Sequence, residues 1–110
     1  MGYTSTMSPF MALAEPARRR ILDELLDGER SVGELVHRLG ISQPSVSKHL
    51  RVLREAGIVA VRVDAQRRRY RLQPSSLAEV DAWLAPYRNL WARRLDALER
   101  HLDDEERTWT

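Results

Sequence analysis

The hydrophobic period of this chain changes at Gly57-Ile58, and that change limits the fold more than any other feature. Before it, Val46, Leu50 and Leu53 stand at i, i+4 and i+7, on one face of a helix from Gln43 to about Ala56. After it, Ile58–Val63 is β-branched and apolar, Asp64–Gln66 is a polar break, and Arg67–Leu72 resumes with Tyr70 and Leu72 on one side. The chain therefore reads as a helix running directly into a β-hairpin. The hairpin carries no Asn-Gly or Asp-Gly turn, and its tip is expected to hold Arg67, Arg68 and Arg69.

Upstream, Ser8-Pro9 reads as a helix start with Phe10, Leu13 and Ala14 on its apolar side. Glu15-Pro16 begins a second helix, in which Ala17, Ile21 and Leu25 recur every four residues, ending near Asp27-Gly28. Ser31 and Glu34 form a capping-box pair ahead of Val32, Leu35, Val36 and Leu39, and Gly40 closes that helix. Ser42 caps the next, where Pro44 is tolerated because the first turn's N–H groups have no intrahelical partner. Two short helices joined by Gly40-Ile41-Ser42 make a helix-turn-helix, and the basic hairpin that follows makes it a winged one.

Downstream, Leu77, Val80, Leu84, Tyr87, Trp91, Leu95, Leu98 and Leu102 form a nearly heptad seam suited to packing on another helix. Pro86 interrupts it, so a kink is expected there, or a break into helices of about 76–85 and 86–105. The expected organisation is a flexible N-terminus over 1–7, a DNA-binding core over 8–74, a helical dimerisation tract over 75–106 and a tail over 107–110. The fold class is mainly α with a small β-hairpin wing. At 110 residues, one domain fills the chain.

Charge divides unevenly along this frame. The whole chain carries only +2, yet residues 43–72 hold Lys48, Arg51, Arg54, Arg62, Arg67, Arg68, Arg69 and Arg71 against Glu55 and Asp64. A basic stretch laid on a helix-turn-helix is the electrostatic footprint of a nucleic-acid partner. The side of helix 43–56 opposite its apolar stripe presents Gln43, Pro44, Ser45, Ser47, Lys48 and Arg51. Gln43 and Ser45 suit base edges, Gln best matching the N6/N7 edge of adenine. Ser47, Lys48 and Arg51 suit a mixture of base and phosphate contacts, and Arg67, Arg68 and Arg69 suit phosphates. His49 borders the apolar stripe and fits either a DNA contact or a packed, hydrogen-bonded residue. One or two of Arg18, Arg19 and Arg20 are expected to face solvent, with a phosphate contact open to one of them.

Cysteine is absent, which removes disulfides, thiolate metal sites and cysteine nucleophiles together. No nucleophile elbow, phosphate-cradling glycine loop or zincin motif occurs, so no enzyme is expected. The longest apolar runs, Phe10–Ala14 and Ile58–Val61, are far too short for a membrane span. No secretory signal is visible, and a cytoplasmic location is expected.

Ala14–Leu22, the run SQPSVSKHLRVLREAGIV at 42–59 and RRRYRL at 67–72 together resemble the arsenic-repressor (ArsR) family of bacterial winged-helix regulators. The tract 87–102 is similar, more loosely, to the terminal helix of cysteine-free members. The resemblance implies a homodimer built from the first and last helices that represses a promoter. Phe10, Leu13, Tyr87, Trp91, Leu95, Leu98 and Leu102 are its expected dimer contacts. Many family members release DNA on binding a metal or another inducer. The positions of the family's paired cysteines are here Ser31 and Gly33. In its terminal-helix metal pattern Asp81 is present, but Trp83, Arg94 and Ala97 replace the remaining ligands. Neither familiar metal site is expected, no cofactor is assigned, and the inducer is left open.

The expected function is thus a homodimeric regulator, a repressor, binding an inverted repeat in double-stranded DNA through helix 43–56 and wing 58–72. The half-sites would lie one or more helical turns, about 34 Å, apart. Two other readings compete with it: a metal-responsive repressor with unusual ligands, for which His101, Asp104 and Glu105 have helical spacing, and a dimeric adaptor that meets an acidic protein instead of DNA.

Overall fold

A computed structural model describes residues 7–108. Of the expected flexible N-terminus at 1–7 only Met7 falls in that range, and of the expected tail at 107–110 Arg107 and Thr108 do, both of them helical. The order of elements is α1 (Pro9–Leu13), α2 (Pro16–Leu25), β1 (Arg30–Ser31), α3 (Val32–Leu39), α4 (Gln43–Glu55), β2 (Val59–Asp64), β3 (Arg67–Leu72), a single 3₁₀ turn (Pro74–Ser76) and α5 (Leu77–Thr108). Residues up to Val80 form one compact unit, and the rest of α5 forms a second.

In the first unit the core is a single cluster. Ile21 and Leu25 of α2, Leu35 and Leu39 of α3, and Val46, Leu50 and Leu53 of α4 meet Ile58, Val59 and Tyr70 of the hairpin. Pro9 and Ala12 are the buried residues of α1, whereas Phe10 on the same short helix remains exposed.

The switch of period has a structural cause at the end of α4. Gly57 takes φ +76°, Ile58 N–H donates to the Leu53 carbonyl at 3.0 Å, and Gly57 N–H donates to the Arg54 carbonyl at 2.9 Å. This is the Schellman arrangement, which satisfies the orphan carbonyls of a helix end and turns the chain through a left-handed residue. Ile58 is thereby carried straight into the core and β2 begins one residue later.

The sheet has three antiparallel strands in the order β1-β3-β2. Its third member is a finding, because Arg30-Ser31 pairs with Tyr70 and Arg69 and ties the base of α3 to the wing. A two-residue strand is too short to leave a period in the sequence. The hairpin turns through Ala65 and Gln66, between the paired residues Asp64 and Arg67, and Ala65 adopts φ 58°.

One expectation is corrected. The three arginines do not share the wing tip: Arg67 and Arg68 flank the turn, but Arg69 lies third in β3, opposite Arg62. Of the two outcomes expected at Pro86, a kink or a break, the break is absent, since α5 runs from Leu77 to Thr108 with Pro86 inside it. The Arg88 guanidinium donates to Asp81 Oδ1 at 2.7 Å, bridging the turns on either side of the proline.

Two substitutions of opposite sign test this backbone account. Gly57→Ala places a Cβ about 2.5 Å from Ser76 Oγ in a left-handed conformation. It is expected to lower the unfolding free energy by at least about 1–2 kcal/mol. Ala65→Gly relieves positive φ and is expected to raise it by about 0.5–1 kcal/mol. Urea denaturation checks both, and unchanged midpoints would contradict the assignment of these turns.

Candidate nucleic-acid interface

Helix α4 presents one face because the other is fully committed. Val46, Leu50 and Leu53 are at most 1% exposed, so rotation about the helix axis would pull apolar surface from the core. The opposite side then points outward, with Gln43, Pro44, Ser47, Lys48 and Arg51 exposed and Ser45 half-buried. Ser42 Oγ accepts the Ser45 N–H at 3.3 Å and starts the helix at that point. The polar row therefore begins in the first turn.

The wing completes a concavity beside this row. A cleft of about 640 Å³ is lined by Gln43, Ser47 and Arg51 of α4 together with Arg68 and Tyr70 of β3. Four of the residues singled out in the sequence thus face one space. A neighbouring cleft of about 830 Å³ lies between the start of α3 and the wing, and it too includes Arg68, with Arg67, Ser31 and Gly33. At Ser31 the hydroxyl is already engaged: it accepts the Glu34 N–H at 3.2 Å while Glu34 Oε1 accepts the Ser31 N–H at 2.8 Å.

Internal ion pairs sort the wing's arginines. Arg62 donates to both oxygens of Glu29, at 2.7 and 3.2 Å. Arg69 sits 3.6 Å from Glu34 and 3.4 Å from Asp64, which fixes β3 to α3 and to its own hairpin partner. The Arg62 hydrogen bonds hold the Glu29 carboxyl below its usual range, and the Ser31 amide does the same for Glu34, with Arg69 adding to it. Arg67 and Arg68 are exposed and form no ion pair among the described residues. These two guanidiniums, with Lys48 and Arg51, carry exposed charge on the wing and the helix.

His49 is half-buried, and its Nδ1 lies 3.5 Å from an Arg18 nitrogen. Burial pushes the imidazole below its ordinary value, and the charges of Arg18 and Lys48 add to that, against an opposing pull from Glu15. The run Arg18-Arg19-Arg20 does not simply face solvent. Arg18 donates to the Ala12 and Met11 carbonyls, Arg19 to the Leu13 carbonyl, and Arg20 to the Leu39 carbonyl. Each guanidinium caps the end of a neighbouring helix, a role that long-range folding sets and local pattern does not reveal.

In the second unit, α5 leaves Tyr87, Trp91, Leu95, Leu98 and Leu102 between 47% and 67% exposed. Leu90, three residues after Tyr87, is also exposed, and the Trp83 and Tyr87 rings lie 4.9 Å apart. Asp81 is paired with Arg88, His101 with Glu105 and Asp104 with Arg107. Among the described residues no three His, Asp or Glu side chains gather as a metal site.

A description of bacterial regulatory proteins of the arsR family matches residues 15–61. The chain is also 38% identical to the HTH-type transcriptional regulator Rv2034 of Mycobacterium tuberculosis, over 94% of both chains. The chain belongs to the arsR family. Another relative of this arsR-family protein is the biofilm growth-associated repressor of Agrobacterium fabrum, 48% identical over 62% of this chain and 58% of that one. An ArsR-like transcriptional regulator from Rhodococcus sp. RHA1 shares the fold with a TM-score of 0.64 and 32% identity, covering 83% of this chain and 86% of that one. Family and fold together make the chain a winged helix-turn-helix regulatory protein and not an enzyme.

The depressed Glu34 carboxyl gives a pH prediction. Its folded value lies below the ordinary 4.5, so its contribution is present above that pH and is lost as pH falls through the folded value. Urea midpoints measured from pH 7 down to about 3 should fall less steeply for Glu34→Gln than for the unaltered protein. Parallel curves would show that the capping box and the Arg69 pair do not hold the wing.

Proposed function

We propose that this protein is a homodimeric repressor acting in the bacterial cytoplasm on an inverted-repeat operator in double-stranded DNA. The observation that carries the reading is the cleft where Gln43, Ser47 and Arg51 of a rotationally locked helix face Arg68 of the wing. In this arrangement Gln43, Pro44, Ser45 and Ser47 meet base edges, and Lys48 and Arg51 bridge base and backbone. Arg67 and Arg68 neutralise phosphates, with Arg69 bracing the strand that carries them. Relatives named as repressors support the repressive sense. The reading calls on no cofactor.

Removing wing charge tests the DNA role. Arg67→Ala with Arg68→Ala should weaken binding to every duplex and lower the slope of log affinity against log salt by about 0.9 per lost phosphate contact. Gln43→Ala should instead relax preference at particular base pairs, each worth roughly 1–3 kcal/mol. Fluorescence anisotropy on duplexes enriched from a randomised pool measures both. An unchanged salt slope would remove the wing from the interface, and an unchanged base preference would remove Gln43.

The exposed α5 row is assigned to a second copy of the chain, because apolar residues at helical spacing over this length suit a matching helix. Phe10 and Leu13 of α1 join the same assignment. Each buried leucine contributes roughly 1.5–3 kcal/mol, and two-fold symmetry counts it twice. Leu95→Asp with Leu98→Asp should therefore convert a dimer to a monomer in sedimentation equilibrium. A monomeric unaltered protein would overturn the assignment.

A further inference from the structure

Arg18 is tied to three partners, Met11, Ala12 and His49. Its Nε donates to the Ala12 carbonyl at 2.6 Å and one terminal nitrogen donates to the Met11 carbonyl at 3.2 Å. Both acceptors belong to the last turn of α1, so the guanidinium is anchored there by two charge-assisted bonds. The remaining nitrogen lies 3.5 Å from His49 Nδ1, on α4 one residue from Lys48 and two from Ser47 and Arg51. One side chain of α2 thus spans from α1 to the helix proposed to read bases.

The contact with His49 has a sign. A guanidinium only donates, so Nδ1 faces it as an acceptor, which requires neutral imidazole with its proton on Nε2. The groups facing the ring are Arg18 from α2, Glu15 ahead of α2, and Lys48 on α4 itself. Arg18 cannot withdraw from a charged ring without releasing the α1 carbonyls. The half-buried ring stands on α4 beside Leu50, which is 1% exposed.

We propose that Arg18 and His49 are positioning residues that lock α1 to the reading helix while His49 is neutral, and that charging His49 loosens the lock and weakens DNA binding. His49 then acts through Arg18 and not by touching DNA. The inference rests on the DNA-reading function proposed above, and it predicts a pH dependence opposite to that of a histidine in contact with phosphate. A cationic His49 on the backbone would tighten binding as pH falls. A cationic His49 against Arg18 loosens it.

The test is anisotropy on a duplex enriched from a randomised pool, at constant ionic strength, from pH 7.5 to 5.5, for the unaltered protein and His49→Asn. Asparagine is uncharged throughout and offers a carbonyl oxygen to Arg18. Taking the ratio of the two affinities cancels every pH effect that the two proteins share. The unaltered protein should lose affinity relative to His49→Asn progressively toward pH 5.5, by less than about tenfold because the ring's midpoint lies below 6.5. A constant ratio, or one that rises on acidification, overturns the proposal. A second reading needs no DNA: in histidine-resolved NMR titrations, Arg18→Gln should raise the His49 midpoint, and an unmoved midpoint also overturns it. If no duplex is bound at any pH, the proposed function itself fails and this inference with it. Binding with a constant ratio sinks the inference alone.

Discussion

Burial of one stripe of α4, Val46, Leu50 and Leu53, together with Ile58 immediately after it, is the constraint on which the rest of the structure depends. A thirteen-residue helix has little stability of its own, and tertiary burial of its apolar face provides it. That burial fixes the helix in rotation, so the polar row on its far side has one direction in which to point. The Schellman turn at Gly57 then sends the chain into β2 at once, and the wing is built against the same core through Tyr70. Helix α4 and the wing are neighbours because they share one hydrophobic cluster.

Arginine does two separate jobs on this frame. Arg18, Arg19 and Arg20 satisfy carbonyls at helix ends, while Arg38 pairs with Glu24, Arg62 with Glu29 and Arg69 with Glu34 and Asp64. Exposed pairs of this kind add little stability singly. Arg51, Arg54 and Arg68 line one cleft beside Glu55, and Arg67 joins Arg68 at its neighbour. A nearly neutral chain can therefore present a strongly basic surface.

Much of this was legible from spacing. Val46, Leu50 and Leu53 recur at helical intervals, Ser31 and Glu34 form the expected capping box, and β3 runs over the expected Arg67–Leu72. These are local signals, and local chemistry makes them. The residues that escaped prediction answer to distant partners. Arg30-Ser31 becomes a strand only because Tyr70 and Arg69 lie alongside, and Arg69 leaves the wing tip because the turn closes at Ala65-Gln66. Arg18 meets His49 across thirty-one positions, which no periodicity records. At Pro86 local sequence leaves a kink and a break equally open, and the helix stays continuous because a proline's lost hydrogen bond weakens a helix without being obliged to end it.

The central claim is that two copies of one locked helix and wing address a symmetric DNA site. Hydroxyl-radical footprinting of the bound duplex tests this most directly. The account predicts two protected patches on one face of the DNA, related by two-fold symmetry and centred one or more helical turns, about 34 Å, apart. A single unsymmetrical patch, or uniform protection along the duplex, would contradict it.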